Sequence, residues 1–327
     1  MNLHNDTKLF DQAIRATAQQ MQLKEIYIEK DYWVTYALHT IFNHEIGKQT
    51  VFQGGTALTK CYGLIDRFSE DIDLVVTRTE KETANQLKNK IKTITNVVEA
   101  IMPEVEIEGV TQKMGMNRKT GHSYPKSFKG DFGQVRDVII LESTWLGYFE
   151  PFTTSKIKSF IYDMMLETGQ EKMIKDYCLQ AFTVQVLDTK RTICEKIMSL
   201  VRFSYSENPI EDLRAKVRHT YDLHQLLKND KFSTFFNSED FDVMLLRVAH
   251  DDVYSFRNNN DWLTNHPNQS LFFAELEKTW EQIKKEYSDT FKQLVYGDFP
   301  NEDMILESFK LIKKRLENIK WSVEINN

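Results

Sequence analysis

Asp71-Ile72-Asp73-Leu74 sets two carboxylates one residue apart at the head of a β-branched and apolar run, Ile72–Val76, that reads as a strand. Side chains alternate faces along a strand, so Asp71 and Asp73 point one way while Ile72 and Leu74 face the core. Two neighbouring carboxylates repel unless a cation lies between them. Mg²⁺ is the natural occupant, since it takes a few carboxylates together with phosphate oxygens and water. Two such ions clamp the attacking and leaving oxygens of a phosphoryl transfer. Alone, an Asp-x-Asp is more simply an exposed acidic edge.

What stands before it changes that balance. A short apolar strand, Thr50–Phe52, runs into Gly54-Gly55-Thr56 and a helix to about Leu64. Two glycines permit a sharp bend and let a phosphate approach without a Cβ in the way. The helix start offers free N–H groups and its positive dipole end. Thr56 can cap this helix or bond a phosphate oxygen, and Lys60, one turn on, could reach the same anion. Together the two features bring a phosphate cradle and a metal site to one end of one sheet. Glu142 closes another apolar strand, Val138–Leu141. Beside the two aspartates it could ligate a metal or accept a proton from an attacking hydroxyl; a strand-end glutamate in solvent fits as well. Lys196 sits at the edge of the stripe Ile193, Ile197, Leu200 and Val201, from which its ammonium could emerge into a cleft and stabilise charge on a transferring phosphoryl group. The alternative is a surface lysine paired with Glu195. Asp222 could equally pair with His219 or Arg218, His219 reads as structural or near the site and not as a metal ligand, and Tyr32-Trp33 reads as core.

The elements that must hold these residues follow from periodicity. Residues 7–46 read as helical with a break near Leu23–Glu25, 79–101 as a long polar helix, and Val105–Val110 as a strand. A turn-rich stretch follows, with Gly115, Gly121, Pro125, Gly130 and Gly133. From Asp188 the pattern turns helical: one helix to about Phe203 capped by Asp188 or Thr189, another over 211–228, and a largely helical remainder with stripes such as Phe272, Phe273, Leu276 and Trp280. The expected fold is α+β, with a small mixed sheet over residues 1–185 and a helical domain over 186–327.

Composition narrows the function classes. The 327 residues carry a net charge of −6, which argues against a general nucleic-acid coat protein. Lys113, Arg118, Lys119, Lys126, Lys129 and Arg136 against Asp131 form a local basic excess that could contact phosphates, although charge alone favours a solvated loop or hairpin. No stretch is apolar for long enough to span a bilayer, and Met1–Gln12 has no apolar signal core. Cys61, Cys178 and Cys194 match no zinc or redox spacing and read as reduced, cytoplasmic thiols.

These residues resemble a known family. Gly54-Gly55-Thr56-Ala57-Leu58-x-Lys60 followed by Arg67-x-Ser69-x-Asp71-Ile72-Asp73-Leu74 is similar to the nucleotidyltransferase AbiEii/AbiGii toxin family, within the DNA polymerase β-like nucleotidyltransferase superfamily. Glu29-Lys30-Asp31-Tyr32-Trp33-Val34 resembles its N-terminal signature. Arg191-Thr192-Ile193-Cys194-Glu195-Lys196 resembles a later motif, with Cys194 in place of an aromatic residue, and Arg218-His219-Thr220-Tyr221-Asp222-Leu223 resembles another. The ordered signatures cover roughly residues 29–223. The resemblance implies a polymerase β-like core and a transferase that moves a nucleoside monophosphate from an NTP and releases pyrophosphate. It implies that Gly54, Gly55 and Thr56 hold the triphosphate, that Asp71 and Asp73 bind Mg²⁺ (or Mn²⁺) with Glu142 near the third acidic position, and that Arg67 and Ser69 shape the loop or touch phosphate. Lys196 would contact the nucleotide phosphates, with Asp222 supporting it or assisting catalysis. It further implies the toxin half of a toxin–antitoxin pair linked to abortive infection and phage defence, with tRNA or another RNA as acceptor and an antitoxin as partner. A protein or small-molecule acceptor, or a non-catalytic nucleotide-binding relative, are the alternatives.

Overall fold

The computed structural model describes residues 1–113, 115–130 and 135–325. Asp131 and Gly133, named above in the basic and turn-rich stretch, lie outside the described residues. The chain divides into two compact units, one of residues 1–63 and 68–187, the other of residues 64–67 and 188–327.

In the first unit, α1 (Thr7–Met21) and α2 (Glu25–Asn43) are separated by Gln22, whose left-handed φ of 55° ends α1 where the sequence shows its break. Then come β1 (Thr50–Gln53), α3 (Gly54–Tyr62), β2 (Ile72–Val76) and α4 (Ala84–Glu99). The start of α4 is fixed by a capping box between Thr83 and Gln86, a device worth about 1 kcal/mol. There follow β3 (Glu104–Val105), β4 (Asn117–His122), β5 (Ile139–Thr144), β6 (Phe152–Ile157), α5 (Phe160–Glu167), α6 (Glu171–Asp176) and β7 (Phe182–Leu187). The strands form one mixed sheet of seven in the order β3-β4-β5-β2-β1-β7-β6. The expected strand over 105–110 shrinks to β3 because Gly109, at φ 71°, turns the chain and the amides of Val110 and Thr111 both bond back to the carbonyl of Ile107.

Ile72, Leu74 and Val76 of β2, Leu141 of β5 and Val186 of β7 sit in one large core with Ile14, Trp33, Leu38 and Ile94 from the helices. Alternation then sends Gln53, Asp73 and Glu142 to the opposite face. The register puts them in one row: Lys119 of β4 opposite Glu142 of β5, Glu142 beside Asp73 of β2, and Asp73 opposite Gln53 of β1. Glu142 therefore lies inside β5, not at the end of a strand. Strand pairing continues past it because Ser143, its neighbour, is fully buried on the core face.

The described elements of the second unit are helical. They are α7 (Thr189–Phe203), α8 (Pro209–Ala215), α9 (Arg218–Lys228), α10 (Asp230–Phe236), α11 (Glu239–Ser255), α12 (Leu271–Ala274), α13 (Leu276–Asp289) and α14 (Glu302–Leu316), with short 3₁₀ turns between. Asp188 caps α7 by accepting from the Lys190 amide at 2.7 Å. The helix expected over 211–228 is two helices, parted at Lys216–Val217 where backbone amides bond three residues back and the Val217 carbonyl accepts from both the amide and the hydroxyl of Thr220. Residues 64–67 join this unit through an Arg67–Val295 bridge and the Tyr296 amide on the Asp66 carbonyl.

Between α7 and α11 lies a buried charge cluster: Arg191 donates to Glu195 at 2.8 Å and to Asp251 at 2.7 Å. Burial pushes the carboxyl of the adjacent Asp252 up to about 7, with the Arg202 guanidinium opposing it only in part. An unfolded aspartate ionises near pH 4. Between about pH 4 and about pH 7 the folded chain therefore keeps a proton that the unfolded chain has lost, and stability falls as pH rises through that window. Asp252→Asn is expected to raise the melting temperature above that of the natural chain at pH 8, and by less at pH 5, in paired calorimetric scans.

Candidate active site

The sequence-predicted residues fall into two groups, one inside each unit. The first is built on the turn from β1 into α3. Gly54 opens α3 at φ 81°, a left-handed backbone that disfavours any Cβ. A Cβ there would also lie 2.3 Å from Asp73 Oδ2. The absent side chain is thus what lets the carboxylate rest on the start of the helix. Register supplies the rest, since Asp73 pairs with Gln53, the residue just before the bend. The helix cap, Gln53, makes no side-chain hydrogen bond to the start of α3, and a helix start is a favourable place for an anion. Thr56 is not the cap. It sits in the first turn, almost fully buried, with its hydroxyl 2.9 Å from that of Ser69. Gly55 is the second residue of the same turn.

Lys119 gathers the carboxylates electrostatically. Its ammonium lies 3.0 Å from Glu142 Oε2. Burial works against this charge, but Glu142 beside it, then Asp71 and Asp73, outweigh burial and hold its pKa above the ordinary lysine value. Asn117, two residues earlier on the same face of β4, donates to Glu142 Oε1 at 3.0 Å. Both oxygens of Glu142 are therefore engaged. Asp71 differs, for its Oδ1 is buried with no hydrogen-bond partner. Among the described residues no three acidic, histidine or cysteine side chains are drawn close enough to hold a metal ion together. Like charges separate when nothing positive stands between them, and here Glu142 has gone to Lys119. A divalent ion suits Asp71 and Asp73 on two grounds: the donors are oxygen throughout, and a buried carboxylate oxygen lacks a partner.

The Glu29-Lys30-Asp31 signature is explained by α2, where all three charges are buried and each ties down a different segment. Glu29 accepts from the amides of Ser127 and Phe128. Lys30 donates to the Arg136 carbonyl and lies 3.8 Å from Glu70, the residue before Asp71; burial pushes its ammonium down to about 8. Asp31 accepts from the Phe160 amide and from Lys60, at 2.6 Å. Lys60 is thus one half of a buried ion pair, with Thr35 as a further acceptor, and not the phosphate contact its spacing suggests. Most of the basic stretch is likewise committed: Lys113 and Arg118 to Glu104, Lys119 to Glu142, Lys126 to Asp137.

The second group lies within the second unit. Asp222 on α9 is fully buried and accepts from both arms of the Arg67 guanidinium, at 2.7 and 2.8 Å, and from Lys196 on α7 at 2.8 Å. Burial alone would raise its pKa, but Arg67 and Lys196 overcome that and hold the carboxyl far below the usual range. His219 Nδ1 is 3.3 Å from Lys196 Nζ; burial, then the lysine charge, lowers its pKa well below the ordinary value and keeps the ring neutral, so Nδ1 accepts from the ammonium. Cys194, in the place of an aromatic, is fully buried. Sequence reading missed Asn117 and Lys119 as partners of Glu142. Their signal was two polar residues two apart in a stretch that looked like loop.

Two outcomes are expected. Gly54→Ala should cost on the order of 1–2 kcal/mol in denaturant unfolding from the left-handed backbone alone, and more if Asp73 cannot give way. Asp222→Asn should cost on the order of 3–5 kcal/mol by stranding two buried cations, whereas Lys196→Met, which leaves the Arg67–Asp222 pair intact, should cost clearly less in the same measurement.

Comparison with known proteins adds the family. No curated protein matches. The solved structure of MenT4, a nucleotidyltransferase toxin from Mycobacterium tuberculosis H37Rv, is similar at a TM-score of 0.48 and 14% identity, covering 91% of this chain and 98% of that one. A sequence model described as "Nucleotidyl transferase AbiEii toxin, Type IV TA system" matches residues 37–315 and so takes in β1, β2, β5, α7 and α9. The chain belongs to the AbiEii nucleotidyl transferase toxin family of type IV toxin–antitoxin systems.

Proposed function

We propose that this toxin transfers a nucleoside monophosphate from an NTP to the 3′ end of a tRNA, in a reaction that depends on Mg²⁺ with Mn²⁺ as a substitute, and that it acts in the cytoplasm as the toxic half of an abortive-infection, phage-defence pair restrained by a cognate antitoxin. The observation that carries the reading is the Asp73 carboxylate seated on Gly54 at the open start of α3. That arrangement sets a negative oxygen for a metal directly beside amide donors for phosphate, the juxtaposition a triphosphate bound with its metal requires.

The roles follow. The amides from Gly54 to Thr56 cradle the triphosphate, with the Thr56 and Ser69 hydroxyls beside them. Asp71 and Asp73 would hold the divalent ion, which would supply neutralisation of phosphate charge. The acceptor's 3′ oxygen forms a bond to the α-phosphorus as its hydroxyl proton passes to solvent water, the bond to the bridging oxygen of the β-phosphate breaks, and pyrophosphate leaves with the pair of electrons. Lys196, held by Asp222 at 2.8 Å, is proposed as a phosphate contact. Arg67 acts through Asp222, as the other half of its clamp. Lys60 is left out, because its charge is already used inside the fold. Exposed Lys129 and Arg136 are what the basic stretch retains for an RNA backbone.

Incubation with each α-labelled NTP, Mg²⁺ and total tRNA tests this. Label on tRNA is expected, removed by EDTA and reduced on the order of 10³-fold by Asp73→Ala. Failure of the natural chain to transfer label from any NTP would overturn the reading. Label on a protein band or small metabolite would move the acceptor to the alternative class.

A further inference from the structure

We infer that Lys119 serves as a built-in cation that takes the place of a second metal ion, so that the site holds one divalent ion, on Asp71 and Asp73, with Glu142 reserved for the lysine. The inference rests on the proposed metal-dependent reading of the first-unit site. It goes beyond it by fixing the ion count and by removing Glu142 from the ligands.

Geometry carries it. Lys119, Glu142 and Asp73 are successive members of one cross-strand row on one face of the sheet, so the ammonium is delivered to the carboxylates by register. The contact is direct at 3.0 Å, and Asn117 holds the other Glu142 oxygen at 3.0 Å. Each Glu142 oxygen already accepts one contact and the ammonium beside it repels a further cation, whereas Asp71 keeps a buried oxygen with no hydrogen-bond partner. Charge gives the same count. Three carboxylates carry three negative charges, the ammonium offsets one, and a single divalent ion balances the remaining two. A second divalent ion would have to displace a tethered cation and break the Asn117 bond. A lysine in that place confers constant charge compensation that needs no ion from solution, and it biases Glu142 away from acting as a base.

The test is Mn²⁺ titration of the intact chain without nucleotide, followed by calorimetry and by electron paramagnetic resonance, which reports ion count and spin coupling independently of turnover. The natural chain should bind one ion per chain with no coupled-pair signal. Lys119→Met should bind two, with the first on the order of tenfold tighter, as expected on removing a nearby positive charge. Lys119→Arg should restore one. Glu142→Gln should leave the count at one and weaken the ion by no more than about tenfold, the effect of losing one neighbouring negative charge, and this variant decides the matter if Lys119→Met does not fold. Two ions on the natural chain, an unchanged titration in Lys119→Met, or a loss beyond tenfold in Glu142→Gln would each overturn the inference while leaving the metal-dependent reading standing. No Mn²⁺ binding at all would remove both.

Discussion

The packing of one carboxylate against a residue with no side chain organises the first unit. Asp73 can rest on the start of α3 only because Gly54 has no Cβ, and Gly54 can open the helix only because it tolerates a left-handed backbone. The antiparallel register of β1 and β2 makes the two neighbours, and the parallel register of β2 and β5 carries the row on to Glu142. The helices contribute by covering the other face. With Ile72, Leu74 and Val76 locked into the core, β2 cannot slip by one residue without burying Asp73, a cost far above what the strand could recover. Hydrophobic burial on one face thus fixes charge placement on the other.

The buried charges of α2 act at one remove. A buried salt bridge adds little net stability compared with an apolar replacement, because desolvation offsets most of the Coulomb gain. Its contribution is to specify position. Lys30 and Asp31 hold, respectively, the residue before Asp71 and the lysine of α3, and Glu29 holds two backbone amides of the loop that follows β4. Three consecutive side chains of one helix fasten five segments that are distant in sequence.

Legibility in the sequence followed the strength of local patterns. β2 was readable to the residue because alternation, β-branching and the acidic pair coincide in Ile72–Val76. The helices α1, α2 and α7 were readable from their periodicity. β4 was invisible: Asn-Arg-Lys-Thr-Gly-His has no apolar alternation, and its strand character comes from pairing with β5 on one side and β3 on the other. For the same reason Glu142 looked like a strand end and Lys119 like a solvated loop charge. Lys60 misled because spacing gives the direction in which a side chain leaves a helix but not the partner it meets, and Asp31, 29 positions earlier, reaches it first. The bidentate grip of Arg67 on Asp222 spans 155 positions and has no local signal. The −6 net charge is a sum over the whole chain and has no bearing on where the cations of the site are spent.

The grip of Arg67 on Asp222 has a topological consequence. Residues 64–67 belong, by their contacts, to the helical unit, although the chain on both sides of them belongs to the sheet. A stretch of four residues is thereby stitched into a body whose remainder begins more than a hundred positions later. Any contiguous excision of residues 188–327 discards the guanidinium and leaves the buried carboxylate half neutralised. The helical portion is consequently not a detachable cassette. Recombination that swaps it between relatives has to keep faith with a tetrapeptide located deep inside the other half of the gene.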